Sequence, residues 1–173
     1  MAQAHSDLIP HFYVMRRTIA ALLVLSLAGC GQLYLPLGDP LPRPVAVGLS
    51  VDGKLQYFAP LCPGEQVASA QVLDHATHRV LWEASNPSES IREGGRITVG
   101  ASDEFEQVKV PLTSPLPDSL SLELSFAGRG GSGVQADRQS IPSEMSGSDT
   151  VLSDTGEKVR EADFRARVAQ EFC

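Results

Sequence analysis

Few residues in this chain are grouped in a way that could do chemistry. His75 and His78 bracket Ala76-Thr77, and with Asp74 they approach one metal only if the segment is helical or tightly turned. Zinc takes three or four ligands, so two histidines fall short. A solvated hairpin tip accounts for them, and no metal or other cofactor is assigned. Asp103, Glu104 and Glu106 form an acidic cluster. Paired catalytic carboxylates face one another across a cleft, whereas charges beside a turn keep an edge strand from pairing with another sheet. The second role fits better. Gly128-Arg129-Gly130-Gly131-Ser132-Gly133 has the glycine density of a phosphate loop without its Lys-Ser/Thr ending. No Gly-x-Ser-x-Gly elbow is present to orient a nucleophilic serine. No catalytic residue is assigned.

The strongest candidate is a thiol. Cys30 closes Leu27-Ala28-Gly29-Cys30, which follows the apolar run from Thr18 to Ser26 and the basic Met15-Arg16-Arg17. A basic segment, a short apolar segment and a small-residue cleavage site in this order make a secretory signal peptide. The apolar run is too short for a membrane span, which needs roughly 20 residues. Leu27-Ala28-Gly29-Cys30 resembles the lipobox of bacterial lipoproteins at every position. That resemblance implies a diacylglycerol on the Cys30 sulfur, cleavage between Gly29 and Cys30, and a chain held at the cell membrane on its extracytoplasmic side. Two acyl chains anchor stably, at about 0.8 kcal/mol per buried CH₂, where one binds only marginally. Met15 reads as the start of the signal, since residues 1–14 do not resemble a basic leader. General secretory export is favoured over the twin-arginine route, whose flanking residues are missing. The wider layout is similar to small lipoproteins of high-GC Gram-positive bacteria. In a two-membrane cell, Gly31 in place of an aspartate implies the outer membrane.

With Cys30 so assigned, Cys62 and Cys173 remain. An even pair in an oxidising exterior predicts one disulfide with a single connectivity. The alternative is two reduced thiols, one of them buried. A reactive Cys62 is disfavoured, because no basic neighbour in sequence lowers its pKa.

The formal charge of −7 disfavours binding to phosphate backbones, which needs clustered Lys and Arg, and nucleic acid is excluded as a partner. Removal of Arg16, Arg17 and Asp7 with the leader makes the remainder more acidic. At 173 residues one folded domain is expected, with 1–29 as signal peptide, 30–44 as lipidated cysteine and Pro-rich stalk, and 45–173 as the domain.

The elements that must carry any site read mainly as strands. Val45 to Val51 and Lys54 to Leu61 flank Asp52-Gly53, the signature of a hairpin closed by a two-residue type I′ turn. Val45, Val47, Leu49 and Val51 share one face by the two-residue period. Val67–Leu73 and Arg79–Ala84 form a second hairpin around residues 74–78. Ile97–Val99, Phe105–Val110 and Thr150–Leu152 are shorter strands. In Ser119–Ala127, Leu120, Leu122, Leu124 and Phe126 alternate with Ser121, Glu123 and Ser125. Gly128 to Gly147 reads as a mobile loop, and Glu161–Phe172 as a helix with Phe164, Val168 and Phe172 on one face. Together these predict a mainly β fold, an antiparallel β-sandwich of immunoglobulin-like outline with Trp82 in its core and a C-terminal helix. The expected role is a non-enzymatic binding or interaction module whose partner is an envelope protein or glycan. A cell-envelope enzyme or accessory subunit, its site assembled across the fold, is the alternative.

Overall fold

The computed structural model describes residues 42–173. Ten strands form two antiparallel sheets of five. The first has the order β10-β9-β1-β2-β5, with β1 Ala46–Leu49, β2 Leu55–Phe58, β5 Arg96–Thr98, β9 Thr150–Leu152 and β10 Lys158–Arg160. The second has the order β6-β4-β3-β7-β8, with β3 Val67–Asp74, β4 Val80–Pro87, β6 Phe105–Val110, β7 Ser119–Phe126 and β8 Arg129–Asp137. The expected antiparallel β-sandwich is present, two sheets packed face to face over a buried tryptophan.

The core lies between the sheets because each strand turns its apolar alternate residues inward. Val47, Tyr57 and Ile97 from the first sheet meet Val72, Trp82, Leu120 and Leu122 from the second. Trp82 is 1% exposed and takes Phe105 edge-on, with ring centroids 5.3 Å apart. The other face of the second sheet is polar, its side chains paired across strands as Ser69 with Ser125 and Gln71 and Lys109 with Glu83.

The other face of the first sheet is partly covered. Helix α2, Glu161–Phe172, lays Phe164 and Val168 over Ala46, Phe58 and Val151, with Phe172 packed at the margin. This four-residue spacing puts one stripe on one face. Glu161 and Asp163 occupy the first turn, where negative charge is favoured by the helix dipole. Among the described residues no helix is long and apolar enough to cross a membrane.

Two expectations are corrected, and one element was not foreseen. The first hairpin exists, with Val47 opposite Tyr57 and Leu49 opposite Leu55, but its turn has three residues. The Ser50 N–H donates to the Lys54 carbonyl and the Gly53 N–H to that of Ser50. Gly53 alone takes a left-handed φ, +75°, and Asp52 does not, whereas type I′ requires both. The alternation accordingly stops at Leu49, and Val51 at the tip is 88% exposed. Residues 128–147 are not one mobile loop. They hold β8, which pairs with β7 from Ser119–Asp137 to Phe126–Arg129, followed by two 3₁₀ turns, Arg138–Ser140 and Ser143–Met145. Finally, a short helix α1, Glu89–Gly94, precedes β5. It ends at Gly95, whose φ is +64° and whose absent Cβ would stand 2.1 Å from the Ala59 carbonyl oxygen.

Candidate functional site

Gly29 and Cys30, the cleavage and lipidation positions, lie outside the described residues. Cys62 and Cys173 are joined in a disulfide, with Cα atoms 5.4 Å apart and a separation of 111 positions in sequence. The turn that carries Cys62 also holds the start of the described chain. The Arg43 guanidinium forms a two-pronged ion pair with Glu65, Nη2 donating to Oε1 at 2.7 Å and Nη1 to Oε2. Oε2 also accepts the Cys62 N–H at 2.9 Å, and Nη1 reaches the Pro60 carbonyl. The pair is largely buried, at 15% and 4% side-chain exposure, and the guanidinium lies over the Phe126 ring. Arg43, expected in the stalk, is thus packed into the folded body. One corner, Pro60 to Glu65, grips both the first and the last described residues.

The histidines stand at the tip between β3 and β4, ring centroids 6.4 Å apart. His75 Nδ1 is 2.9 Å from the Ser121 hydroxyl. The Asp74 carboxylate accepts the N–H groups of Ala76 and Thr77, and these bonds hold it below the usual carboxylate range. It is engaged in shaping the turn. Among the described residues no three His, Cys, Asp or Glu side chains are grouped to hold a metal ion. Asp103 and Glu104 form a 3₁₀ turn leading into β6, the edge strand on which Glu106 is exposed.

A polar cleft of about 530 Å³ lies on the outer face of the first sheet, beside the area covered by α2. Its floor is Gln56 on β2 and Arg96 and Thr98 on β5, where Gln56 Nε2 donates to Thr98 Oγ1 at 3.0 Å. Arg96 and Thr98 are two residues apart and therefore on one face, roughly 6–7 Å from each other. At the Arg96 end, the Glu161 carboxylate of α2 accepts from Arg96 Nη2 and, at 2.7 Å, from Arg165 Nε. Two guanidinium groups thus converge on one carboxylate, with Glu93 on the rim. At the Thr98 end stands Glu104, one of whose carboxylate oxygens is sealed from solvent without a hydrogen-bond partner among the described residues. Burial and then the charge of Asp103 push the Glu104 carboxyl above its ordinary pKa, against the opposing pull of the Thr98 N–H and Lys54.

Neither family models nor curated proteins nor solved structures match this chain. The cleft therefore stands on its own chemistry. It presents donors and acceptors of both charge signs within one short strand's length. Of its residues, only Glu104 was singled out by sequence. The usable signals were a polar residue between Leu55 and Tyr57, and the Glu161–Arg165 pair at helical i,i+4 spacing.

Proposed function

We propose that this chain is a lipoprotein whose Cys30 is acylated, tethering a β-sandwich at the extracytoplasmic side of the cell membrane. There it acts as a non-enzymatic binding module, with the cleft between α1, β5 and α2 meeting its partner. The observation that carries the tether is Leu27-Ala28-Gly29-Cys30 directly behind a basic and apolar leader. The Cys62–Cys173 disulfide supports the location, because such bonds persist in oxidising compartments and are rare in the cytosol. The cleft supports the binding role. Its polar groups of both signs suit an envelope protein or glycan offering charges and hydroxyls.

Growth with a radiolabelled or alkyne-bearing fatty acid tests the tether. The wild-type chain should be labelled and Cys30→Ser should not, and equal labelling of the two refutes the assignment. A photo-cross-linking residue placed at the exposed Glu93 on the cleft rim tests the binding role on intact cells. It should give discrete adducts that the same residue at Lys109, on the far face of the second sheet, does not give. Identical adduct patterns from the two positions would overturn the cleft as the contact surface.

A further inference from the structure

We propose that a second cavity, at the end of the sandwich away from the Cys62 corner, binds a small anionic amphiphile, specifically an alkyl carboxylate. This goes beyond the tether and does not rest on it. The cavity measures about 380 Å³, toward the lower end of the roughly 300–1,000 Å³ typical of ligand pockets. Leu55, Val99 and Ile141 give it buried apolar walls. Leu112 and Leu116, from the Pro-rich connection between β6 and β7, close it from the other side.

Two cations stand on the lining, and one of them is outside any ion pair among the described residues. Lys54 is 2.9 Å from the Asp52 carboxylate. Arg138 has no carboxylate partner among the described residues. Its Nη1 donates to the Leu116 carbonyl, which holds the guanidinium beside the connection, and its other N–H groups are uncommitted. A chain with a formal charge of −7 thus places a guanidinium with no carboxylate partner among the described residues on a cavity that joins an apolar wall to a polar rim. A hydrocarbon chain gains by leaving water for the leucine-lined walls, and a carboxylate matches the forked donor geometry of arginine. An alkylammonium of equal length would meet like charge and an unsatisfied guanidinium.

The test uses the full chain, in phosphatidylcholine nanodiscs where it carries lipid, and a ten-carbon carboxylate bearing a mid-chain diazirine. Saturable photoadducts are expected on peptides containing Leu112, Leu116 or Ile141. Leu112→Trp, which fills the cavity, should abolish them. Arg138→Gln, an exposed change that leaves the core intact, should weaken apparent affinity about tenfold, the worth of one charge-assisted hydrogen bond. The same chain ending in trimethylammonium should give no saturable labelling there. Adducts that persist unchanged in Arg138→Gln, that form equally with the ammonium probe, or that fall only outside the cavity overturn the proposal.

Discussion

Breaking the Cys62–Cys173 bond, by reduction or by the double substitution Cys62→Ser/Cys173→Ser, should cost this fold a large part of its stability. The bridge spans 111 positions. In the chain-entropy view, closing a loop of about that length removes unfolded-state freedom equivalent to roughly 4.7 kcal/mol, and the logarithmic dependence makes this insensitive to the precise span. Native domains hold only about 5–15 kcal/mol in all. Cys62 is half-buried and Cys173 exposed, so serine at either position adds little penalty of its own. Trp82 is the sole tryptophan and is 1% exposed, so its emission reports global unfolding in guanidinium. The transition midpoint should fall, and the free energy extrapolated to water should drop by about 3–5 kcal/mol. The slope with denaturant should also steepen, because an uncrosslinked unfolded chain exposes more surface. A loss under about 1 kcal/mol, or a lower midpoint with an unchanged slope, would refute the view that the bridge acts through the unfolded state.

Glu65→Gln should destabilise the domain by on the order of 3 kcal/mol, since it leaves the enclosed Arg43 guanidinium without its counter-charge; denaturant melts followed at Trp82 measure it, and a near-neutral result would contradict the buried pair. At Gly131 an added Cβ would stand 2.4 Å from the Leu124 carbonyl oxygen, so Gly131→Ala should detach part of β8 and speed amide exchange along the β7–β8 ladder. Exchange matching wild type would refute that register. The Tyr57 hydroxyl is buried without a partner among the described residues, and burial pushes its pKa well above the ordinary value. Stability should be full below about pH 10, where unfolded tyrosine is also protonated, and should fall as pH rises beyond that point. Tyr57→Phe should flatten that alkaline decline, and an unchanged slope in pH-dependent melts would assign it to other groups.

The strands that sequence made legible are those whose side chains alternate. Ser119–Phe126 carries its burial pattern in its residue types and appears where the two-residue period places it. The C-terminal helix was equally plain, because Phe164 and Val168 must share a face to cover Ala46 and Phe58. β8 was hidden for the opposite reason. Its first half, Arg129-Gly130-Gly131-Ser132-Gly133, offers almost no side chain to read, although backbone pairing needs none and Gly131 is required by its close approach to β7. Val134 and Ala136, packed into the core on either side of Gln135, were the available clue. The three-residue β10 carries two charges and lies at a sheet edge, where hydrophobic patterning has little to act on. The polar cleft was illegible for a further reason: Gln56, the Arg96 and Thr98 pair on β5, Glu104 and Glu161 come from separate elements that only topology brings together.

The grip of one corner on both described chain ends has a mechanical consequence. Tension applied between the stalk and the C-terminus is carried by covalent bonds from Arg43 through the first hairpin to Cys62, and then across sulfur to Cys173. Residues 63–172 form a closed ring outside that load path. Pulling could therefore straighten only the β1–β2 arm, a yield of about 65 Å at roughly 3.5 Å per residue, while the second sheet and the helix remained unloaded.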